Sequence, residues 1–239
     1  MIPINIRRNS NGVPILKQTE IDVIAEALFY DFCPEALNEP QAIDVDAFCE
    51  SYLGLHLDYQ YLSNNGIYLG MTVFSDSERI IVFDPMLKRA EYTSVKAGTV
   101  IIDNTLLDEK QEHRYRFTMG HEAAGHAVLH KPYFEHMKDR NKAAMIQCRM
   151  DSKEKKDPRS YTDIDWMEWQ ADKMSSSFLM PRSSVMKVAE RVKEEMKGNW
   201  EYYISLYLVQ EVSKVFNVSQ MAAFLRLKTL EQIPNEFQL

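Results

Sequence analysis

The most constraining feature of the sequence is a stretch near its middle that combines histidines with a glutamate. Residues 117–130 read Phe-Thr-Met-Gly-His-Glu-Ala-Ala-Gly-His-Ala-Val-Leu-His. Neutral imidazoles bind Zn²⁺ well, and two of them on one helix face provide half of a tetrahedral site. A carboxylate directly after the first histidine can act as the base for a water molecule that the metal activates. We therefore interpret His121 and His126 as candidate metal ligands and Glu122 as the candidate general base.

The spacing of the two histidines departs from the common His-Glu-x-x-His pattern, in which they lie four positions apart. Four positions correspond to about 40° around an α-helix, whereas the five positions between His121 and His126 correspond to about 140°. Three interpretations are open. A π-bulge, which the small residues 123–125 permit, brings both histidines to one face. Alternatively, Glu122, His126 and His130 form a shifted metal-binding stripe, or the site binds no metal and the histidines serve packing or capping.

A catalytic zinc site needs a third protein ligand, and the sequence offers one downstream. Glu168 and Asp172 are four positions apart and share a helix face. We expect Glu168 to complete the metal site and Asp172 to accept a hydrogen bond from a ligand histidine, which fixes the tautomer of that histidine. The alternative is a solvated acidic face, against which Trp166 and Trp169 argue. We expect His130 to support the site or the packing around it.

The pattern of apolar residues and turn signals predicts an α+β fold in which helices pack on a small sheet and the C-terminal half is helical. Helices are predicted at 20–32, at about 43–53, at 112–130, from Asp163 or Asp165 to about 180, and over 182–230 with breaks near Gly198 and Asn217. Strands are predicted at 55–61, 67–74, 79–83 and 100–102, and an exposed loop at 149–163. We interpret 1–239 as one domain: a helical front with a small sheet (20–110), metal-site helices (111–181) and C-terminal helices (182–239).

Composition narrows the class of protein. The 239 residues are 45% hydrophobic and 26% charged, which is typical of globular proteins. No apolar run approaches the roughly 18 residues of a membrane span, and the first residues lack a secretory signal. The cysteines Cys33, Cys49 and Cys148 are odd in number and scattered, which is typical of reduced thiols. These features predict a cytoplasmic protein without a membrane partner.

Charge argues against direct binding of nucleic acid. The formal net charge is −7, whereas nucleic-acid binders normally present a basic face to the phosphates. Residues 212–230 have the outline of a helix-turn-helix, but the second helix holds only the basic residues Arg226 and Lys228. We therefore expect two packed helices there and no direct contact with nucleic acid.

Three stretches of the chain resemble the ImmA/IrrE family of bacterial zinc peptidases. They are 116–130, read with one extra alanine; 168–181, which ends in Phe-Leu-Met-Pro; and 212–230. The resemblance implies a zincin-like α+β fold, one zinc ion held by His121, His126 and Glu168, and Glu122 as general base. It also implies a task, which is to cut or otherwise inactivate a repressor of a phage, mobile element or stress regulon.

The function that we expect is therefore zinc-dependent hydrolysis of peptide bonds in a protein or peptide substrate. An extended substrate is expected to add a strand to an edge of the small sheet. The chain has no helix-turn-helix ahead of the candidate catalytic part, so a repressor substrate would be a separate polypeptide. The alternative from another class is a catalytically inactive regulatory protein that uses a zincin scaffold to bind a protein partner.

Overall fold

The computed structural model of the chain describes residues 6–138, 145–149 and 157–239. The chain divides into two compact units, each considered by itself. The sheet unit comprises the described residues of 6–17 and 45–175, and the helical unit comprises 18–44 and 176–239. The fold is α+β, with small sheets and a helical C-terminal half.

The elements follow one another in an order that concentrates the strands in the first half of the chain. The strands are β1 (His56–Gln60), β2 (Tyr68–Val73), β3 (Ser77–Asp84), β4 (Arg89–Val95), β5 (Thr99–Asp103) and β6 (Met145–Arg149). The α-helices are α1 (Gln18–Phe32), α2 (Glu35–Asn38), α3 (Val45–Ala47), α4 (Glu112–Met119), α5 (Lys131–Lys138), α6 (Asp163–Leu179), α7 (Arg182–Glu195), α8 (Glu201–Phe216) and α9 (Gln220–Thr229). Phe48–Tyr52 and Gly120–His130 are π-helical, and Asn104–Leu107, Glu109–Gln111 and Pro158–Ser160 are 3₁₀ turns.

The sheet unit is built around β5, whose residues are all buried. Within the described residues, the larger sheet has the strand order β1-β5-β2-β6. Strands β1 and β5 are parallel, whereas β2 runs antiparallel to both of its neighbours. Strands β3 and β4 form a separate antiparallel hairpin. The central position of β5 explains its unbroken Val-Ile-Ile run, because a strand covered on both faces does not alternate with polar residues.

A short loop at the start of the described chain is part of the sheet unit. This N-terminal loop, residues 7–15, closes through an antiparallel bridge between Arg8 and Pro14. Val13 is buried in a cluster with Phe74, Tyr133, Phe134 and Met167. Burial of an apolar side chain stabilises a fold by about 1.5–3 kcal/mol, so Val13 helps to anchor the loop on the sheet unit.

The helical unit contains a buried ion pair. Arg226 of α9 is 1% exposed and donates to the Asp22 carboxylate of α1 at 2.8 Å. The Arg226 Nε also donates to the Met180 carbonyl, and the Ser177 hydroxyl donates to Asp22. Because Arg226 is buried, it is not available to a phosphate group. This placement agrees with the expectation of two packed helices at 212–230, which Asn217 joins in the left-handed conformation.

The predicted helices and strands are largely present, with local corrections. Strand β4 was absent from the sequence prediction because its Arg-Ala-Glu-Tyr-Thr-Ser-Val run is mostly exposed and weakly apolar. The loop predicted at 149–163 is shorter, because Arg149 ends β6 and 158–160 form a turn, whereas 150–156 lie outside the described residues. Thr162 caps the start of helix α6. Its hydroxyl accepts a hydrogen bond from the Asp165 backbone N–H, and the Asp165 carboxylate accepts one from the Thr162 backbone N–H.

Two other expectations concern the cysteine thiols and membrane-spanning helices. Cys33 and Cys49 are free thiols, whereas the side chain of Cys148 lies outside the described residues. In the part of the chain that the structure describes, every helix is too short or too polar to cross a lipid bilayer.

Candidate metal centre

The helix that carries the two histidines is π-helical over Gly120–His130, between α4 and α5. Bonding from residue i to i+5 widens each turn, which brings positions five apart close to one another. The Nε2 atoms of His121 and His126 lie 3.0 Å apart, and their rings are 4.7 Å apart between centroids. The first of the three interpretations, a widened backbone, is therefore confirmed as geometry.

Small residues on this π-helix allow α6 to approach closely. A Cβ atom at Gly125 would lie 2.8 Å from the Cα of Ala171, and one at Gly120 would lie 2.7 Å from the Ser175 hydroxyl. Real Cβ atoms essentially never approach other atoms so closely, so a larger residue at either position would push the two helices apart. The glycines thus bring the acidic face of α6 within reach of the histidines.

Glu168 of α6 lies opposite both imidazoles. Its Oε2 is 3.5 Å from the His121 Nε2, and its Oε1 is 3.5 Å from the His126 Nε2. One ligand atom from each of the three residues lies within 4.8 Å of the others, so this group can hold a metal ion. Burial opposes ionisation of Glu168, but in the absence of a metal ion a proton on the imidazoles that face it outweighs burial and holds the pKa of the carboxyl well below its usual range.

Asp172 lies one helix turn beyond Glu168 and contacts the other side of the first histidine. Its Oδ1 is 3.0 Å from the His121 Nδ1. A carboxylate only accepts hydrogen bonds, so His121 donates from Nδ1 and presents the lone pair of Nε2 to Glu168 and His126. The structure therefore brings together Asp172, His121, His126 and Glu168. Their roles as ligands and ligand partner stay predictions.

His130 is buried behind His126 and does not join the ligand group. The Nδ1 atoms of His126 and His130 lie 2.8 Å apart, and the His130 Nε2 lies 3.0 Å from the Gln170 Oε1. Both nitrogens of His130 thus face protein groups, so the shifted stripe of Glu122, His126 and His130 is not formed. Burial lowers the pKa of His130 well below its usual value, and the charge of His126 lowers it further.

Glu122 lies on the π-helix, and its side chain contacts strand β2. The Thr72 hydroxyl donates to its Oε2 at 2.6 Å, while Oε1 is buried and has no hydrogen-bond partner among the described residues. Loss of solvent raises the pKa of Glu122, although the charges of His126 and His121 and the Thr72 hydrogen bond act in the opposite direction. The side chain is therefore a buried carboxyl that is more easily protonated than an exposed one, with one free oxygen.

Sequence reasoning missed Gly70 and Thr72, which hold Glu122 in place. A Cβ atom at Gly70 would lie 2.7 Å from the Glu122 Oε1, so only glycine leaves room for the carboxyl group. A glycine inside a strand is a signal of close approach, and it stands here between Leu69 and Met71. Sequence reasoning also missed Gln170, for which the spacing gives no signal, because the groups that it contacts are distant in the chain.

Comparison with known proteins does not extend this description. No protein-family model matches the chain, and no curated protein matches it. The interpretation of the site therefore rests on the residues that the fold brings together. His121, His126 and Glu168 form one group. Glu122, a separate buried carboxyl group, lies on the same π-helix as the two histidines.

Proposed function

We propose that this chain is a zinc-dependent endopeptidase. The observation that carries the proposal is the convergence of the His121 and His126 Nε2 atoms and the Glu168 carboxylate within 4.8 Å of one another. In the tautomer that Asp172 selects, the His121 nitrogen is an electron-pair donor, and ionised Glu168 is another. Such donors repel each other unless a cation lies between them.

The chemistry of these residues fits zinc better than the hard cations. Mg²⁺ and Ca²⁺ are bound almost wholly by oxygen ligands, whereas imidazole nitrogens suit zinc. Two histidines and one glutamate are also the protein ligands of a known type of catalytic zinc site, in which the fourth position stays open. A structural zinc site would be closed by a fourth protein ligand, and no fourth residue joins the group among the described residues.

Glu122 is the residue that we assign to proton transfer. Zinc bound at this site supplies Lewis-acid activation of water and of the scissile carbonyl group. The free Oε1 of Glu122 takes the proton of the attacking water and delivers it to the leaving nitrogen. A pKa raised by burial suits this role, because a base that must also return the proton works best when its pKa is near the operating pH.

The resemblance to the ImmA/IrrE peptidases supports the same function and extends it. By that resemblance the fold is zincin-like, and the substrate is a repressor-type regulatory protein of a phage, mobile element or stress regulon. An extended substrate segment would add to an edge of the larger sheet, where β1 and β6 are the outer strands among the described residues.

The proposal is tested with a mixture of peptides of diverse sequence, because the natural substrate is not needed to detect hydrolysis. The zinc-loaded chain and its Glu122→Gln variant are incubated with the mixture, and new termini are identified by mass spectrometry. We expect internal cleavage by the wild-type chain, and a loss of about 10²–10⁴-fold in the variant with zinc retained. Equal cleavage by both would remove Glu122 from its role, and zinc binding without any cleavage would favour the inactive scaffold that binds a partner.

A further inference from the structure

A chain of hydrogen bonds runs from the N-terminal loop to the side of His126 that faces away from Glu168. The Gln170 Nε2 donates to the Pro14 carbonyl at 2.7 Å, and the Gln170 Oε1 lies 3.0 Å from the His130 Nε2. The His130 Nδ1 then lies 2.8 Å from the His126 Nδ1. Gln170, His130 and His126 are all buried, so water does not compete for these bonds.

The direction of these bonds follows from the Pro14 carbonyl, which can only accept. The amide nitrogen of Gln170 must face the carbonyl, and its amide oxygen must therefore face His130. An amide oxygen also only accepts, so His130 carries its proton on Nε2. His130 is fully buried beside an amide and an imidazole, without a bonded carboxylate, which favours the neutral ring. A neutral ring protonated on Nε2 leaves a lone pair on Nδ1.

The lone pair on the His130 Nδ1 determines the proton position on the next ring. It accepts a hydrogen bond, so His126 must donate from its own Nδ1. The Nε2 of His126 then carries a lone pair that points toward His121 and Glu168. We propose that the Pro14 carbonyl, Gln170 and His130 form a directional relay that sets the tautomer of His126 for metal binding. This inference rests on the proposed metal site and assigns Gln170 and His130 as positioning residues.

The N-terminal loop is held in a way that fixes the accepting end of the relay. Arg8 donates to the Leu129 carbonyl at 3.0 Å, near the end of the π-helix. The side-chain amides of Asn9 and Asn11 donate hydrogen bonds to the carboxylate of Asp163, which is the first residue of α6. The loop thus contacts both helices that supply the metal group, and the bridge between Arg8 and Pro14 closes it.

The two histidines are oriented by different chemistry. His121 has a carboxylate partner in Asp172, whose side chain is 27% exposed, whereas His126 has a neutral, fully buried partner in His130. Asp172, Glu122 and Glu168 already place three carboxyl groups around the two histidines, and an unpaired buried charge is costly. A neutral relay sets the proton position without adding a further negative charge.

The relay is tested first in the unmodified chain by NMR with ¹⁵N-labelled histidine. Long-range proton–nitrogen correlations distinguish a ring protonated on Nε2 from one protonated on Nδ1. We expect His130 to carry its proton on Nε2 both with and without zinc, and His126 to carry a proton on Nδ1 with zinc. A His130 protonated on Nδ1, or on both nitrogens, would overturn the relay. This measurement reports the proton position on His130 even if the chain binds no zinc. Failure of the relay and failure of the proposed function are therefore separate results.

The second test measures zinc affinity by competition with a chelator. Gln170→Met keeps the size of the side chain but removes both bonds, so we expect the zinc dissociation constant to rise about 10–100-fold. Ser175→Ala is the matched control, because Ser175 lies on the same helix as Gln170 and the substitution removes its hydrogen bond to the Phe117 carbonyl. Equal zinc affinity in the two variants would contradict the relay.

A conservative substitution separates the relay from simple packing. In His130→Asn, the amide oxygen can accept from the His126 Nδ1, whereas His130→Leu offers no acceptor. We expect the asparagine variant to bind zinc more tightly than the leucine variant, by about tenfold. If the two variants bind zinc equally, His130 acts through packing alone and the relay is wrong.

Discussion

The Nε2 atoms of His121 and His126 lie 3.0 Å apart although the residues are five positions apart in a helix. A regular α-helix would point them in directions that differ by about 140°. The π-helical segment removes this divergence, and two of its glycines pack tightly against α6. The unusual spacing is therefore compatible with one shared ion.

The close approach of the two helices predicts that Gly125→Ala weakens metal binding. The new Cβ would meet the backbone of Ala171 at 2.8 Å, so α6 and Glu168 would have to move away from the histidines. We expect a loss of about 1–3 kcal/mol in the free energy of unfolding, and at least tenfold weaker zinc binding. Chelator competition and urea denaturation measure the two effects. Ala127→Ser, at a partly exposed position of the same helix, is the control, and equal zinc affinity in both variants would contradict the prediction.

The hydrogen bond from Thr72 to Glu122 predicts a shift in the pH profile of hydrolysis. This bond stabilises the carboxylate and so lowers the pKa of Glu122, against the larger effect of burial. Thr72→Val removes the bond at constant shape and leaves the pKa higher. Because the base must be ionised to act, the acidic limb of the kcat/KM profile should move to higher pH, with activity recovered in alkaline buffer. An acidic limb that stays in place or moves to lower pH would contradict this prediction. Thr99→Val, a matched substitution on β5, is the control.

The buried ion pair of the helical unit predicts a large stability effect far from the metal group in sequence. Asp22→Asn removes the carboxylate that forms an ion pair with the buried Arg226 guanidinium, so we expect a loss of about 3–5 kcal/mol in the free energy of unfolding. Glu91→Gln removes the partner of Arg89 in an exposed pair and should cost less than about 1 kcal/mol. Urea denaturation compares the two variants, and similar losses would show that the buried pair is not special.

The sequence predicted those features that depend on residues close together in the chain. The apolar stripe of α1 and the run of β5 are local patterns, and small residues at 123–125 made the π-helix one of three options. The direction of the Glu168 side chain depended on which helices pack together. It could be expected only indirectly, because a catalytic zinc site needs a third protein ligand and Glu168 was a suitable carboxylate.

The remaining features depend on contacts between distant segments. Gln170 contacts the Pro14 carbonyl 156 positions away, and no periodicity encodes such a pair. Arg226 was interpreted as one of two basic residues on a helix, but its guanidinium lies in the core because Asp22 neutralises it there. Strand β4 was missed because its stability comes from pairing with β3 rather than from an apolar pattern.

The central claim is that His121, His126 and Glu168 hold one zinc ion, and metal analysis of the purified chain tests it most directly. The chain and its His126→Ala and Glu168→Gln variants are prepared without added zinc. Elemental mass spectrometry measures the metal content of each preparation, and native mass spectrometry counts the ions bound per chain. We expect about one zinc per wild-type chain, with strong loss in both variants. A wild-type chain without zinc, or variants that retain it fully, would contradict the account.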